Sequence, residues 1–386
     1  MDITYVVVFT IVAGSRFIVP LFIPRFPLPA TLAALVIDAV DKSIFQIFTD
    51  ADLEGYQSYD KALDVYYLAI AYIATMRNWT NVYAYKTSRF LWYYRLAGST
   101  LFELTGWRAL LLIFPNAFEY FFLYVEGVRT RWSMRRLTKK HILGAAAFIW
   151  IVIKLPQEAW IHLFQLDVTD AFKEHILGSS LDESWGTAIG NSLWIFPVLI
   201  ALGVALWFVI RRVSAQLPTG DWPATYDSDA HADNQIAIPL KPAADRHWRE
   251  GLAEKVVLVG LLGVIFAQML PNVHVGALQM LIGVGAVVVA NAAVSHWLAA
   301  RGTNWRSSAT QFLALAAINV GLGVLYMVIT PSFGADLGRA GLLFFGLLLT
   351  TLITLYDRYR PIIDARMAAE AAATASRPAS GPAARA

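Results

Sequence analysis

Four aspartates carry most of the chemistry that this chain could do. Asp38 and Asp41 stand three residues apart, with Lys42 and Gln46 continuing the same 3–4 spacing, and Asp60 and Asp64 stand four apart with Lys61 beside them. At helical periodicity, such spacing puts each group on one face. Carboxylates gathered from two helices can pass protons, bind a cation or ligate a divalent metal. A second set follows downstream: Asn116, Glu119 and Tyr120 beside Pro115, then Lys154, Glu158 and His162 at i, i+4 and i+8 with Pro156 between them. Arg16 and Arg95 are the candidate counter-ions. Asp38, Asp41, Asp60, Asp64, Glu119 and Glu158 outnumber Arg16, Lys42, Lys61, Arg95 and Lys154 by one. Protons or a cation would have to neutralise that excess. The expected cavity for protons, ions or substrate is therefore Asp38, Asp41, Lys42, Gln46, Asp60, Asp64, Glu119, Lys154, Glu158 and His162. Asp38, Asp41, Asp60 and Asp64 are the candidate metal ligands, with Mg²⁺ or Mn²⁺ as the cofactor if the chain is an enzyme. The plainer alternative is that these charges pair to lock helices together, as Asp38 with Lys42 and Lys154 with Glu158 are spaced to do.

The elements that position these groups are apolar. Of 386 residues, 57% are hydrophobic and 15% charged, against about 25% charged in an ordinary soluble domain. A spanning helix takes about 20 residues. The expected fold is thus all-α, a polytopic helical membrane bundle of about eleven spans: 3–24, 29–49, 58–76, 90–106, 108–127, 143–164, 189–210, 255–272, 275–298, 308–330 and 338–357. If residues 82–106 form one interfacial helix, the count drops to nine or ten. Nothing basic precedes the first span and no small-residue cleavage site follows it, so it reads as a retained helix rather than a signal peptide.

Orientation follows from the basic residues. With the N-terminus outside and the C-terminus cytoplasmic, 23 of the 31 Lys and Arg fall in cytoplasmic segments, against Arg108, Lys173 and Arg339 outside, which satisfies the positive-inside rule. The organisation is then residues 1–210 as a charged membrane domain, 211–254 as a cytoplasmic linker, 255–357 as an apolar four-helix domain of packing character, and 358–386 as a disordered cytoplasmic tail. Asp227, Asp229, His231 and Asp233 alternate within the linker and read as solvated acids rather than a metal site.

The segment Asp38-Ala-Val-Asp41, then Gly55, then Asp60-Lys-Ala-Leu-Asp64 resembles the signature of the CDP-alcohol phosphotransferases, D-x2-D-G-x2-A-R-x8-G-x3-D-x3-D across two helices. Lys42, Phe45 and Gln46 stand where that pattern has Gly, Ala and Arg, and four residues rather than three separate Gly55 from Asp60. The resemblance covers residues 38–64. It implies that the acids hold a divalent metal and a diphosphate and supply a base for an attacking alcohol.

The absence of cysteine excludes disulfides, thiolate zinc sites, iron–sulfur clusters and Cys nucleophiles. The net charge of +3 resides between spans and does not indicate nucleic acid. The expected partners are the bilayer and a small solute or lipid substrate. Arg exceeds Lys by 22 to 9 and Ala is abundant, a composition common in GC-rich bacterial genes, which suggests a bacterial plasma membrane. Three functions fit: a proton- or cation-coupled transporter or translocase with an outward-opening cavity; a metal-dependent enzyme acting on a lipid or lipid-linked phosphate; and a noncatalytic membrane assembly subunit.

Overall fold

The computed structural model describes residues 3–49, 54–164, 171–180, 183, 185–231, 246–268 and 336–376, with isolated positions between 285 and 321. Every described element is helical. Helix α1 (Ile3–Ile18) runs into a 3₁₀ turn, Val19–Phe22, at Pro20. Pro27 opens α2 (Pro27–Phe48), where its fixed φ suits a first turn and its missing N–H leaves no bond unmade. Helix α3 spans Glu54–Asn78. Asn81 caps α4 (Val82–Thr105) by accepting from the Tyr83 and Ala84 N–H groups, both at 3.1 Å, and Gly106 ends it at φ 68°, the left-handed conformation that favours glycine.

Pro115 separates the short α5 (Ala109–Ile113) from α6 (Ala117–Arg129), so the span expected at 108–127 is two helices. The stretch expected at 90–106 is the later part of one longer helix, α4. Helix α7 (Lys139–Phe148) continues through a π-helical segment, Ile149–Lys154, into α8 (Leu155–Glu158) and a second π-helical segment, Ala159–Leu163. The wider π turns stand on both sides of Pro156, which has no N–H to donate. Then follow α9 (Trp185–Asn191), α10 (Ile195–Gln216), α11 (Arg246–Gln268) and α12 (Asp336–Ala375). The spans expected at 275–298 and 308–330 lie almost wholly outside the described residues.

Among the described residues, five stretches are long and apolar enough to cross a membrane: Ile3–Phe22, Ala109–Arg129, Lys139–Ile161, Ile195–Gln216 and Gly251–Gln268. Helices α2, α3 and α4 have the length, but they carry charged side chains such as Asp38, Asp64 and Arg95 that lower their apolar character. Helix α10 is apolar all round from Ile195 to Ile210 and only Ile195 along it is buried, as suits a helix surrounded by lipid.

Helix α3 is central and packs against α1, α2, α4, α11 and α12. Tyr66, Tyr72 and Trp79 along and just beyond it, with Tyr85 and Trp92 of α4, are among the largest fully buried side chains. Tyr72 stacks on Trp92 at 5.8 Å and Trp79 on Phe122 at 6.0 Å, arrangements that add to the burial itself. One hydrophobic core includes residues from α1 to α4, α6, α7, α11 and α12, so the N-terminal helices share their core with α11 and α12. The expected disordered tail needs correction over 358–375, where α12 continues and buries Tyr359, Ile362 and Ile363. Arg366 holds this extension in place by donating to the carbonyls of Arg77 and Trp79, both at 2.9 Å, so that a cation meets the unsatisfied carbonyls at the end of α3.

Candidate functional site

Arg16 lies on α1 with a side chain only 3% exposed. Its Nη1 donates to Asp41 and Asp60, and its Nη2 to Asp38 and Asp64. Two acids come from α2 and two from α3, and one guanidinium meets all four because its donors form a rigid planar fork. The acids grade from dry to open: side-chain exposure is 1% at Asp41, 14% at Asp60, 33% at Asp38 and 41% at Asp64. Asp38 and Asp64 line a cavity of about 300 Å³ between α2, α3, α4 and the α5–α6 region.

Arg95 and Glu119 line the same cavity. Asn116 donates to Glu119 at 2.7 Å. Arg95 donates to the Phe114 carbonyl at 3.1 Å, so its hydrogen bond goes to backbone while its charge faces the cavity. The close approach of α4 to this turn requires Gly98, where a Cβ would collide with the Phe114 side chain. Lys61 and Glu103 face each other at 3.9 Å. Behind Glu119, Lys154 lies 3.6 Å from Glu158 and 4.6 Å from the Tyr120 ring centroid, and donates to Gln157 at 3.1 Å. The Asn116 N–H reaches Glu158 at 3.4 Å, linking this pair to the cavity wall.

Of the residues singled out in the sequence, Asp38, Asp41, Asp60 and Asp64 gather at Arg16, Glu119 joins them across the cavity, and Lys154 and Glu158 form the pair behind it. The side chains of Lys42, Gln46 and His162 lie outside the described residues. Carboxylate oxygens of Asp38, Asp60 and Asp64 come within 4.8 Å of one another, close enough to share a cation. Arg16 donates to all three, so a divalent metal would have to displace its fork or bind on the cavity side of Asp38 and Asp64.

A second cluster was not foreseen. Glu254 of α11 accepts from Tyr72, from Tyr93 at 3.4 Å, from Arg89 at 3.4 Å and from Arg360 of α12. Arg360 also donates to Asp364 at 2.9 Å, and Lys255 donates to Asp357 at 2.8 Å. The reading of residues 255–357 as apolar scaffold misses this because Glu254 and Arg360 flank the apolar runs, where charges ordinarily meet water. The spacing of Arg360 and Asp364, i and i+4, was the available signal.

The first part of the expected linker is also tied down. Backbone N–H groups of Asp221, Thr225 and Ser228 donate to carbonyls of Arg131, Thr130 and Arg25 at 2.8, 2.9 and 2.8 Å. Asp227 faces Arg25 at 3.2 Å and Asp229 meets Arg77. The Ser133 N–H and then Arg136 hold the Asp221 carboxyl below the usual carboxylate range. The Asp229 N–H and then Arg25 do the same for Asp227, which in turn raises Arg25. These acids are partnered rather than merely solvated.

Compared with protein-family models, with curated proteins and with solved structures, the chain matches none.

Proposed function

We propose that the chain is a multi-pass protein of a bacterial plasma membrane, of about eleven spans with the N-terminus outside, and that it is a proton- or cation-coupled transporter or translocase. The observation that carries this reading is the carboxylate cluster at Arg16: among the described residues four carboxylates meet one guanidinium, and the two most exposed open onto the cavity. Charges within a bilayer are expensive and mark ion or proton pathways. Asp38 and Asp64 line the cavity and are the acids placed to exchange protons or a cation that arrives through it. With the proposed orientation the cavity opens outward, since the Lys- and Arg-rich segments cluster at the opposite end of α2 and α3.

The test is uptake of a solute panel into proteoliposomes under imposed proton or sodium gradients, with Asp38→Asn and Asp64→Asn beside wild type. Gradient-driven uptake that both variants lose, while still inserting and purifying, supports the reading. Variants that transport like wild type overturn it.

The proximity of Asp38, Asp60 and Asp64 favours one second reading, a Mg²⁺- or Mn²⁺-dependent enzyme acting on a lipid or lipid-linked phosphate. Its signature would be a thermal midpoint raised by Mn²⁺ in wild type and unmoved in Asp60→Asn/Asp64→Asn. The transporter reading ranks first because Arg16 already bonds each of those acids.

A further inference from the structure

The starts of α4 and α7 and the end of α12 enclose an open groove of about 510 Å³. Lys86 and Lys139 are exposed on its walls, and Tyr83, with α12 from Met367 through Glu370 to Ala375, completes it. Lys139 stands 5.4 Å from the Tyr83 ring centroid, a cation–π contact that fixes one lysine in the groove. Asn81 braces the two helix starts by donating to the carbonyls of Met134 and Leu137 at 3.1 and 2.9 Å. Lys139 is the first residue of the candidate span Lys139–Ile161, so the groove lies at the edge of the hydrocarbon. One turn further along each helix, at i+4 from each lysine, stand Phe90 and Leu143, 58% and 52% exposed. Positions four apart share a helix face, so each lysine has an exposed apolar side chain directly below it.

We propose that this groove binds the headgroup of a monoanionic glycerophospholipid such as phosphatidylglycerol. The phosphate meets Lys86 and Lys139, a headgroup hydroxyl donates to Glu370, and the acyl chains run over Phe90 and Leu143. The net charge of the groove, two lysines against one glutamate, matches a single negative charge. Basic pockets between helices at a membrane face are the usual seats of anionic headgroups. The inference rests on the membrane-spanning reading and not on transport by the Arg16 cluster, so its failure would leave the uptake experiment standing.

The test uses the full-length protein in mild detergent, titrated with dioctanoyl phosphatidylglycerol, dioctanoyl phosphatidylcholine and inorganic phosphate, with bound lipid read by native mass spectrometry and phosphate by competition. Phosphatidylglycerol is expected to stay bound where phosphatidylcholine does not. Lys86→Gln/Lys139→Gln should weaken it about thirtyfold and either single variant about fivefold, which keeps the test open if the double variant fails to fold. Lys61→Gln, at the other end of α3, should leave binding unchanged. Equal binding by the double variant, equal retention of phosphatidylcholine, or displacement of the lipid by equimolar inorganic phosphate would each overturn the proposal.

Discussion

Two of the charge clusters among the described residues of this bundle are built on different plans. At Arg16, four aspartates share one cation and two of them open onto a cavity. At Glu254, two acids (Glu254 and Asp364) meet two arginines (Arg360 and Arg89) among tyrosine hydroxyls. The second is balanced, and although Arg89 reaches the surface its other members are largely buried, as expected of charges that join α11 and α12 to α3 and α4. The first opens onto a cavity through two of its acids, Asp38 and Asp64, which pairing alone does not explain. Acids that face a cavity therefore separate the cluster proposed to work from the one proposed to hold.

Removing the guanidinium that the four aspartates share should have the largest effect. Arg16→Met removes the guanidinium that all four carboxylates bond, and breaking a buried pair typically costs about 3–5 kcal/mol. The protein should fail to accumulate, or should unfold well below wild type in detergent. Arg16→Lys should restore little, because an ammonium lacks the planar fork that reaches four acids from one position. Near-normal stability of either variant would mean that the four acids are already neutral.

The balanced cluster should behave differently. Glu254→Gln and Arg360→Gln should each destabilise, while Glu254→Leu/Arg360→Met should recover much of the loss, since a buried pair is often replaceable by apolar residues of similar size. A double-mutant cycle should give a coupling of about 1–3 kcal/mol, measured by thermal unfolding. Uptake should survive the paired apolar replacement. Loss of uptake in a stable double variant would move Glu254 from the holding class to the working one.

A smaller effect on stability, but a decisive one on function, is expected at Asp64. Asp64→Asn removes one of the four carboxylate charges and keeps a polar side chain, so its unfolding midpoint should equal or exceed that of wild type while gradient-driven uptake disappears. A charge swap sharpens the comparison. If Asp64→Arg with Arg16→Asp restored function, the cluster would be a helix lock and the chain an assembly subunit.

These contrasts were unevenly legible in the sequence. Helical periodicity was enough to put Asp38 with Asp41, and Asp60 with Asp64, on common faces, because local spacing determines which side chains share a face. It could not show one arginine meeting both pairs, since Arg16 lies 44 residues from Asp60 and that contact depends on how three helices pack. Glu254 and Arg360 were harder still. They lie 106 residues apart, and each sits at the edge of an apolar run, where composition alone assigns it to water. Proline punctuation was in the sequence but unevenly read: Pro115, inside the single span expected at 108–127, divides α5 from α6, and Pro156 sits among π-helical turns. Helix length was read least well, because the residues from Arg358 to Ala375 look like a solvated tail until Arg366 is seen bonded to the end of α3.

The smallest effect belongs to the exposed ion pairs at the Lys- and Arg-rich end, which mark the weak limit of the comparison. Solvated pairs contribute little, so the contacts of Asp221 and Asp227 should loosen their segment without unfolding the bundle. Both carboxyls are held below their ordinary value of 3.8. Their contribution is therefore fully present above that value and is lost as pH falls through the lower, folded-state value. The segment from 217 to 231 should stay docked from pH 7 down to about 4 and release only in stronger acid. Because the chain has no cysteine, a spin label on Ala224→Cys reports this directly by its mobility. Asp227→Asn should show at pH 7 part of the mobility that wild type reaches only in acid. Release near pH 6 would instead assign the docking to a histidine, with His231 beside Trp222 at 5.2 Å as the group to test, and the exposed aspartates would then drop out of the account of what holds this segment.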